Sequence, residues 1–331
     1  MTRGNQELAR FLNKALGEVA PVQVGNVYVV INSTDAGYEQ FVLDNQKEYS
    51  DGSSMIQTSL SAAYDAVVSN RHDVILLNAN GAHAQTAMLD VSKNRVHFIG
   101  MDYRNGAFGM GSRTRITMGV TTAATDLAVL KNTGVGNSFH GLKFDSSNTK
   151  DESLYAVVEA GEYAFYDRCE FYKSTDLDET GAAEVLNNGD SAQFIKCVFG
   201  SSANIVADNV IRPNMLLSAT IAGKKCRDNI VDSCIFLSKA GGTEHVAIYG
   251  ANATDVERMF LISNSCFVNN LLSAATPAHA IGFGAAQTEG TVVVKGDCVF
   301  ADFTAPAEAS VGVQVAGAVS TFATAGLAKA S

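Results

Sequence analysis

Phe165-Tyr166-Asp167-Arg168-Cys169-Glu170-Phe171 decides the fold, because its pattern returns along the rest of the chain. The later copies are Phe194-Ile195-Lys196-Cys197-Val198-Phe199, Ile230-Val231-Asp232-Ser233-Cys234-Ile235-Phe236, Ile262-Ser263-Asn264-Ser265-Cys266-Phe267-Val268 and Val294-Lys295-Gly296-Asp297-Cys298-Val299-Phe300. An earlier copy, Phe139-His140-Gly141-Leu142-Lys143-Phe144, carries Leu where the others carry Cys. The shared positions 142, 169, 197, 234, 266 and 298 are 27, 28, 37, 32 and 32 residues apart. A constant strand with inconstant spacing is what a stack of coils produces, since insertions enter at corners and leave the strand alone. The expected inward ladder is Leu142 and Phe144, Cys169 and Phe171, Cys197 and Phe199, Cys234 and Phe236, Cys266 and Val268, and Cys298 and Phe300. Between them Lys143, Glu170, Val198, Ile235, Phe267 and Val299 vary in polarity, as outward positions of a period-2 strand do.

A second short apolar strand precedes each copy: residues 127–130, 155–158, 184–186, 215–217, 246–249 and 280–283. Most are followed by Asn or Gly, which tolerate the positive φ of a sharp bend. The chain has 29 Gly and only 4 Pro, a balance suited to strands that keep their ladder donors. These features predict an all-β chain, a single-stranded parallel β-helix with an N-terminal helical arm and a capping helix.

Five of the six cysteines fall on the ladder, where buried small hydrophobes are the expected role. A line of thiols along an axis cannot surround one tetrahedral zinc, so neither metal nor other cofactor is expected. Cys226, among Lys224, Lys225 and Arg227, is expected to be an exposed thiol outside the ladder.

Hydrophobic residues make up 47% of the 331, enough for a long core, and the net charge is −10 with no basic run to follow a phosphate backbone. Nucleic-acid and membrane roles are therefore not expected. Met1 to Arg10 lacks the apolar stretch of a signal peptide, which predicts assembly in a cytoplasm.

Leu8, Phe11, Leu12, Ala15 and Leu16 have helical spacing, so residues 1–20 read as a helical arm. Residues 21–95 read as a strand at 27–31, an irregular loop at 35–54, a capping helix near 56–67 and an apolar strand at 74–77. Rungs are expected over 96–303. Residues 304–331 read as a last rung or an assembly segment, in which Val313, Val315 and Phe322 join Leu8, Phe11, Leu12 and Leu16 as candidate subunit contacts.

The capping helix, the strand Asp73 to Leu77 with the bend at Gly81, Val96-His97-Phe98-Ile99-Gly100 and the Cys-x-Phe rungs together resemble the right-handed pectate-lyase-like β-helix superfamily over about residues 55–300. The order of strands, Gly-x-His and Thr-x-Ile in residues 81–116 is similar to β-helical proteins that decorate the capsids of tailed phages as trimers. That resemblance implies a non-catalytic homotrimer on the virion exterior, bound to the major capsid protein, with glycan binding possible. The alternative is a tailspike-like protein that binds or depolymerises polysaccharide.

Enzymes of the superfamily use acidic residues around calcium with an Arg base, or clustered Asp with His and Arg. Glycoside hydrolysis needs two carboxyls at a set separation. Asp176, Asp178 and Glu179, Asp145, Asp151 and Glu152, and Asp255 with Glu257 are the acidic groups available, and each reads as a solvated corner. His72, His83, His97, His140, His245 and His279 show no spacing that pairs them, so no catalytic residue is expected.

Overall fold

A computed structural model describes residues 25–32, 38–45, 48–79, 82–102, 114–118, 127–147, 154–174, 179–201, 210–219, 224–240, 242–270, 276–308, 312–316 and 320–321. The chain winds as a right-handed parallel β-helix, and the described residues form three parallel sheets of eleven, nine and eight strands. From Val74 onward each turn contributes one strand to the first sheet, then one to the second and one to the third, so a strand pairs with the strand one turn away.

The repeated heptapeptide is a corner between two sheets, not a single strand. Phe165–Asp167 belongs to the first sheet and Glu170–Lys173 to the second, with Arg168 at φ 52° between them. Gly141, Lys196, Ser233 and Asn264 hold the same left-handed conformation in neighbouring rungs, at φ 60°, 55°, 56° and 49°. The bend sends one inward ring into the first sheet and the next into the second. Phe98, Phe139, Tyr166 and Phe194 stack at 5.0, 4.6 and 4.9 Å between centroids. Phe144, Phe171, Phe199, Phe236, Phe267 and Phe300 stack at 5.6, 4.9, 4.6, 4.6 and 4.7 Å. Each such pair is worth about 0.5–1.5 kcal/mol beyond the area it buries.

Leu142, Cys169, Cys197, Cys234 and Cys298 are buried at the corner, and all six cysteines are free. The fifth rung departs from the expected ladder by one residue. Phe236 pairs with Phe267 and Phe267 with Phe300, which puts Cys266 and Val268 on the outward side and Ser265 in the corner. Cys226 is also corrected: it is fully buried in the strand Cys226–Asp232, and its thiol donates to the Asn187 carbonyl at 2.8 Å.

The coil begins before residue 96. Val74–Leu77, Ala82–Gln85 and Leu89–Val91 already supply one strand to each sheet, and Val27–Val30 pairs with Val74–Leu77. Ile56–Gln57 is the end strand of the first sheet and not part of the capping helix, because its amides and carbonyls continue the ladder of Val29 and Val30. Tyr38–Asn45 (α1) is a helix where a loop was expected, and its Phe41 packs against Val29, Val74, Leu76 and Ile99 on the outer side of the first sheet.

The capping helix is Leu60–Ala66 (α2). Ser59 caps it by accepting from the Ala62 amide, and the Lys93 ammonium binds the Tyr64, Asp65 and Val67 carbonyls at 2.7, 3.0 and 2.8 Å, where a helix end favours a cation. Leu60, Ala63, Tyr64 and Val67 close the core above Phe98. At the other end Val313 and Val315 follow the inward columns of Val292 and Val294 in the last described strand of the first sheet, where Val315 is 39% exposed. Leu8, Phe11, Leu12, Leu16 and Phe322 lie outside the described residues.

Candidate functional site

Outward positions of the first sheet lie on either side of its inward column, so the register gives the site directly. Beside Phe98, Phe139 and Tyr166 run His97, Ser138 and Phe165 in one row and Ile99, His140 and Asp167 in the other. The short corner after this sheet brings Arg168 to the same edge. Histidine, serine, aspartate and arginine thus meet on three consecutive turns, bounded by Phe165.

Within the first row the Ser138 hydroxyl lies 2.7 Å from His97 Nδ1, and His97 Nε2 lies 3.1 Å from His72 Nδ1. The two imidazole planes lie 12° from parallel with centroids 5.4 Å apart, so the rings meet edge to edge through these nitrogens. His72 has φ 59° in the turn before Val74, a turn fastened by the Asp73 carboxylate. That carboxylate accepts from the amides of Asn26 and Val68 at 2.8 Å each and from the Arg71 guanidinium at 2.6 and 2.8 Å. In the second row His140 Nδ1 lies 3.7 Å from Asp167, which also faces Arg168 at 3.7 Å.

These groups are nearly covered, with His97 6% and Ser138 5% exposed. Burial, with His72 and His140 alongside, holds the His97 imidazole down at about 4, and burial also lowers His72. Both rings are therefore neutral at pH 7, a state in which a ring nitrogen can accept a proton. The expectation that no histidines are paired is corrected: the register joins them across 25 residues of sequence. The signal was present, since His97-Phe98-Ile99-Gly100 and Ser138-Phe139-His140-Gly141 align on their Phe and Gly.

Among the described residues, the acidic groups singled out by sequence are not brought together. Asp145 faces Arg115 at 4.0 Å on the second sheet, and Glu257 is held by Arg227 at 2.8 and 2.9 Å. Asp255 is fully buried and not solvated; it accepts from the Ala219 and Asn252 amides at 2.9 and 2.7 Å and so fastens a corner. Asp151, Glu152, Asp176 and Asp178 lie outside the described residues. His83 lies on the second sheet, where it contacts the Asn78 carbonyl at 2.9 Å, and His245 contacts the Ser238 hydroxyl at 2.7 Å, far along the chain from the patch.

Two buried polar networks support corners. Glu184 pairs with Arg212 at 3.1 Å and with Asn214 at 3.2 Å. Glu159 accepts from Tyr166, Asn132 and the Gly161 amide at 2.6, 2.9 and 2.6 Å. Among the described residues no cluster of three or more His, Cys, Asp or Glu could hold a metal ion, and no helix is long and apolar enough to cross a membrane.

No known family profile and no curated protein sequence matches the chain. Its fold does match solved structures. A pectin methylesterase from Erwinia chrysanthemi aligns at TM-score 0.56 and 13% identity over 94% of this chain and 92% of that one. The Aspergillus niger pectin methylesterase gives 0.55 and 13% over 93% and 88%, and the carrot pectin methylesterase 0.51 and 12% over 90% of each. The expectations of a capsid-decorating protein and of a chain that is not an enzyme are corrected by these neighbours, which are enzymes and not capsid proteins. At these identities the likeness is one of fold, the right-handed parallel β-helix.

Proposed function

We propose that the protein binds a polysaccharide along the outward face of the first sheet and chemically processes it there. One observation carries this reading: His97, Ser138, His140 and Asp167 converge on adjacent rungs of that face, with the Ser138 hydroxyl 2.7 Å from a neutral imidazole. A parallel β-helix offers a polymer a surface that repeats every 4.7–4.9 Å, so successive sugars meet similar backbone and different side chains. The fold shared with pectin methylesterases supports the same substrate class. The net charge of −10 argues for a neutral or esterified polymer over a polyanion, which the protein's own field would repel.

The test is a panel of neutral, esterified and de-esterified polysaccharides, followed by affinity electrophoresis and by assays for reducing ends, released alcohol and released acid. Retardation by at least one neutral or esterified polymer, with a product in one assay, is expected. No retardation and no product with any polymer would overturn the reading.

A further inference from the structure

Resting on the polysaccharide reading, we infer that Ser138 is a nucleophile for ester groups on the polymer, with His97 as its base and His72 as a positioning residue. The geometry is a relay of three side chains from three consecutive turns of the first sheet: Ser138 Oγ to His97 Nδ1 at 2.7 Å, and His97 Nε2 to His72 Nδ1 at 3.1 Å. A serine is a weak nucleophile until a base within hydrogen-bond reach takes its proton, and a base is held in one tautomer by a third group. With the proton on Nε2 donated to His72, Nδ1 is free to accept from the hydroxyl. His72 is fixed in turn by the fastened loop around Asp73.

The steps balance with water as the only co-reactant. Ser138 Oγ gives its proton to His97 Nδ1 and bonds to the ester carbonyl carbon. The carbon–oxygen bond to the alcohol breaks, and the alcohol leaves with the proton from His97. Water then attacks the acyl-serine, passing a proton to His97, and the serine oxygen leaves and takes it back, releasing a carboxylic acid. The groups facing His97 are His72, Ser138, His140 and Asp73, of which only Asp73 favours an imidazolium. The base form consequently persists to low pH.

The test treats the full chain with a small fluorophosphonate, maps the adduct by peptide mass spectrometry, and measures ester release from the polysaccharide panel in parallel. The adduct is expected on Ser138, with a labelling rate that is flat at neutral pH and falls as pH drops through about 4. His97→Ala is expected to slow labelling by about 10²–10⁴-fold. His72→Ala should slow it by about tenfold, the effect of one orienting hydrogen bond, with recovery in His72→Asn. Circular dichroism establishes that each variant is folded, and the site of the wild-type adduct decides the matter if one is not. An unmodified Ser138, or a rate that His97→Ala leaves unchanged, would overturn the inference. Labelling of Ser138 without ester release from any polymer would discard the polysaccharide and keep the nucleophile. Undiminished release by Ser138→Ala would discard the nucleophile and keep the polysaccharide.

Discussion

A cysteine at the corner does more than fill a small space. The thiols of Cys169, Cys197 and Cys234 point at the carbonyls of Phe139, Tyr166 and Phe194 one turn back, at 3.4, 3.5 and 3.2 Å. Sulfur also accepts: the Cys197 amide donates to Cys234 Sγ at 3.3 Å, and the Cys234 amide donates to Ser265 Oγ at 3.1 Å. The left-handed bend frees these backbone groups, and at Cys169, Cys197 and Cys234 a small side chain reaches them with hydrogen bonds that Leu142 at its own corner does not make. Cys197→Ala is expected to lose about 1–3 kcal/mol in urea unfolding, and Cys197→Ser clearly less; equal losses would mean that volume alone matters. Glu159 gives a second prediction at this scale. Burial pushes its carboxyl up to about 7 despite the hydrogen bonds it accepts, so the folded chain favours its protonated form. Stability from this group is therefore full below the ordinary carboxylate value of 4.5 and is lost as pH rises toward about 7. The penalty of Glu159→Gln, measured by urea unfolding across pH, should be largest near the acid end of that window and shrink by its neutral end.

Strands were legible from sequence and corners were not. Short apolar runs marked 155–158 and 215–217, which lie in strands Tyr155–Glu159 and Met215–Leu217. The bend between the first and second sheets escaped notice because Arg168, Lys196, Ser233 and Asn264, ordinary residues, occupy its positive φ, held there by pairing on both sides. Such a residue gives up about 1–2 kcal/mol relative to glycine in local backbone energy. Lys196→Gly should therefore raise the thermal midpoint and Lys196→Val should lower it; the reverse order would contradict the corner geometry. The fifth rung was misread for a related reason. Ser265 takes the corner with the chemistry of the thiol but not its hydrophobicity, and Cys266 beside it drew the register one residue off.

At the scale of the whole molecule, stacking turns sequence distance into columns. Residues 72, 97 and 138 become neighbours only when the rungs are counted correctly, and the insertions between them hide the count. The acidic groups drew attention by their local density, whereas His97, Ser138 with His140, and Asp167 are spread over three short strands. The resemblance to β-helices gave the architecture; its narrower extension to capsid decoration rested on structural residues and not on a functional motif. One titration tests the claim that function resides on the outward face of the first sheet. Wild-type protein, Asp167→Asn, and Lys143→Ala on the outward side of the second sheet would each be titrated with the polysaccharide that binds best. The account predicts at least about tenfold weaker binding for Asp167→Asn, the scale of one charge-assisted hydrogen bond, and no change for Lys143→Ala. Unchanged binding by Asp167→Asn, or loss through Lys143→Ala alone, would contradict it.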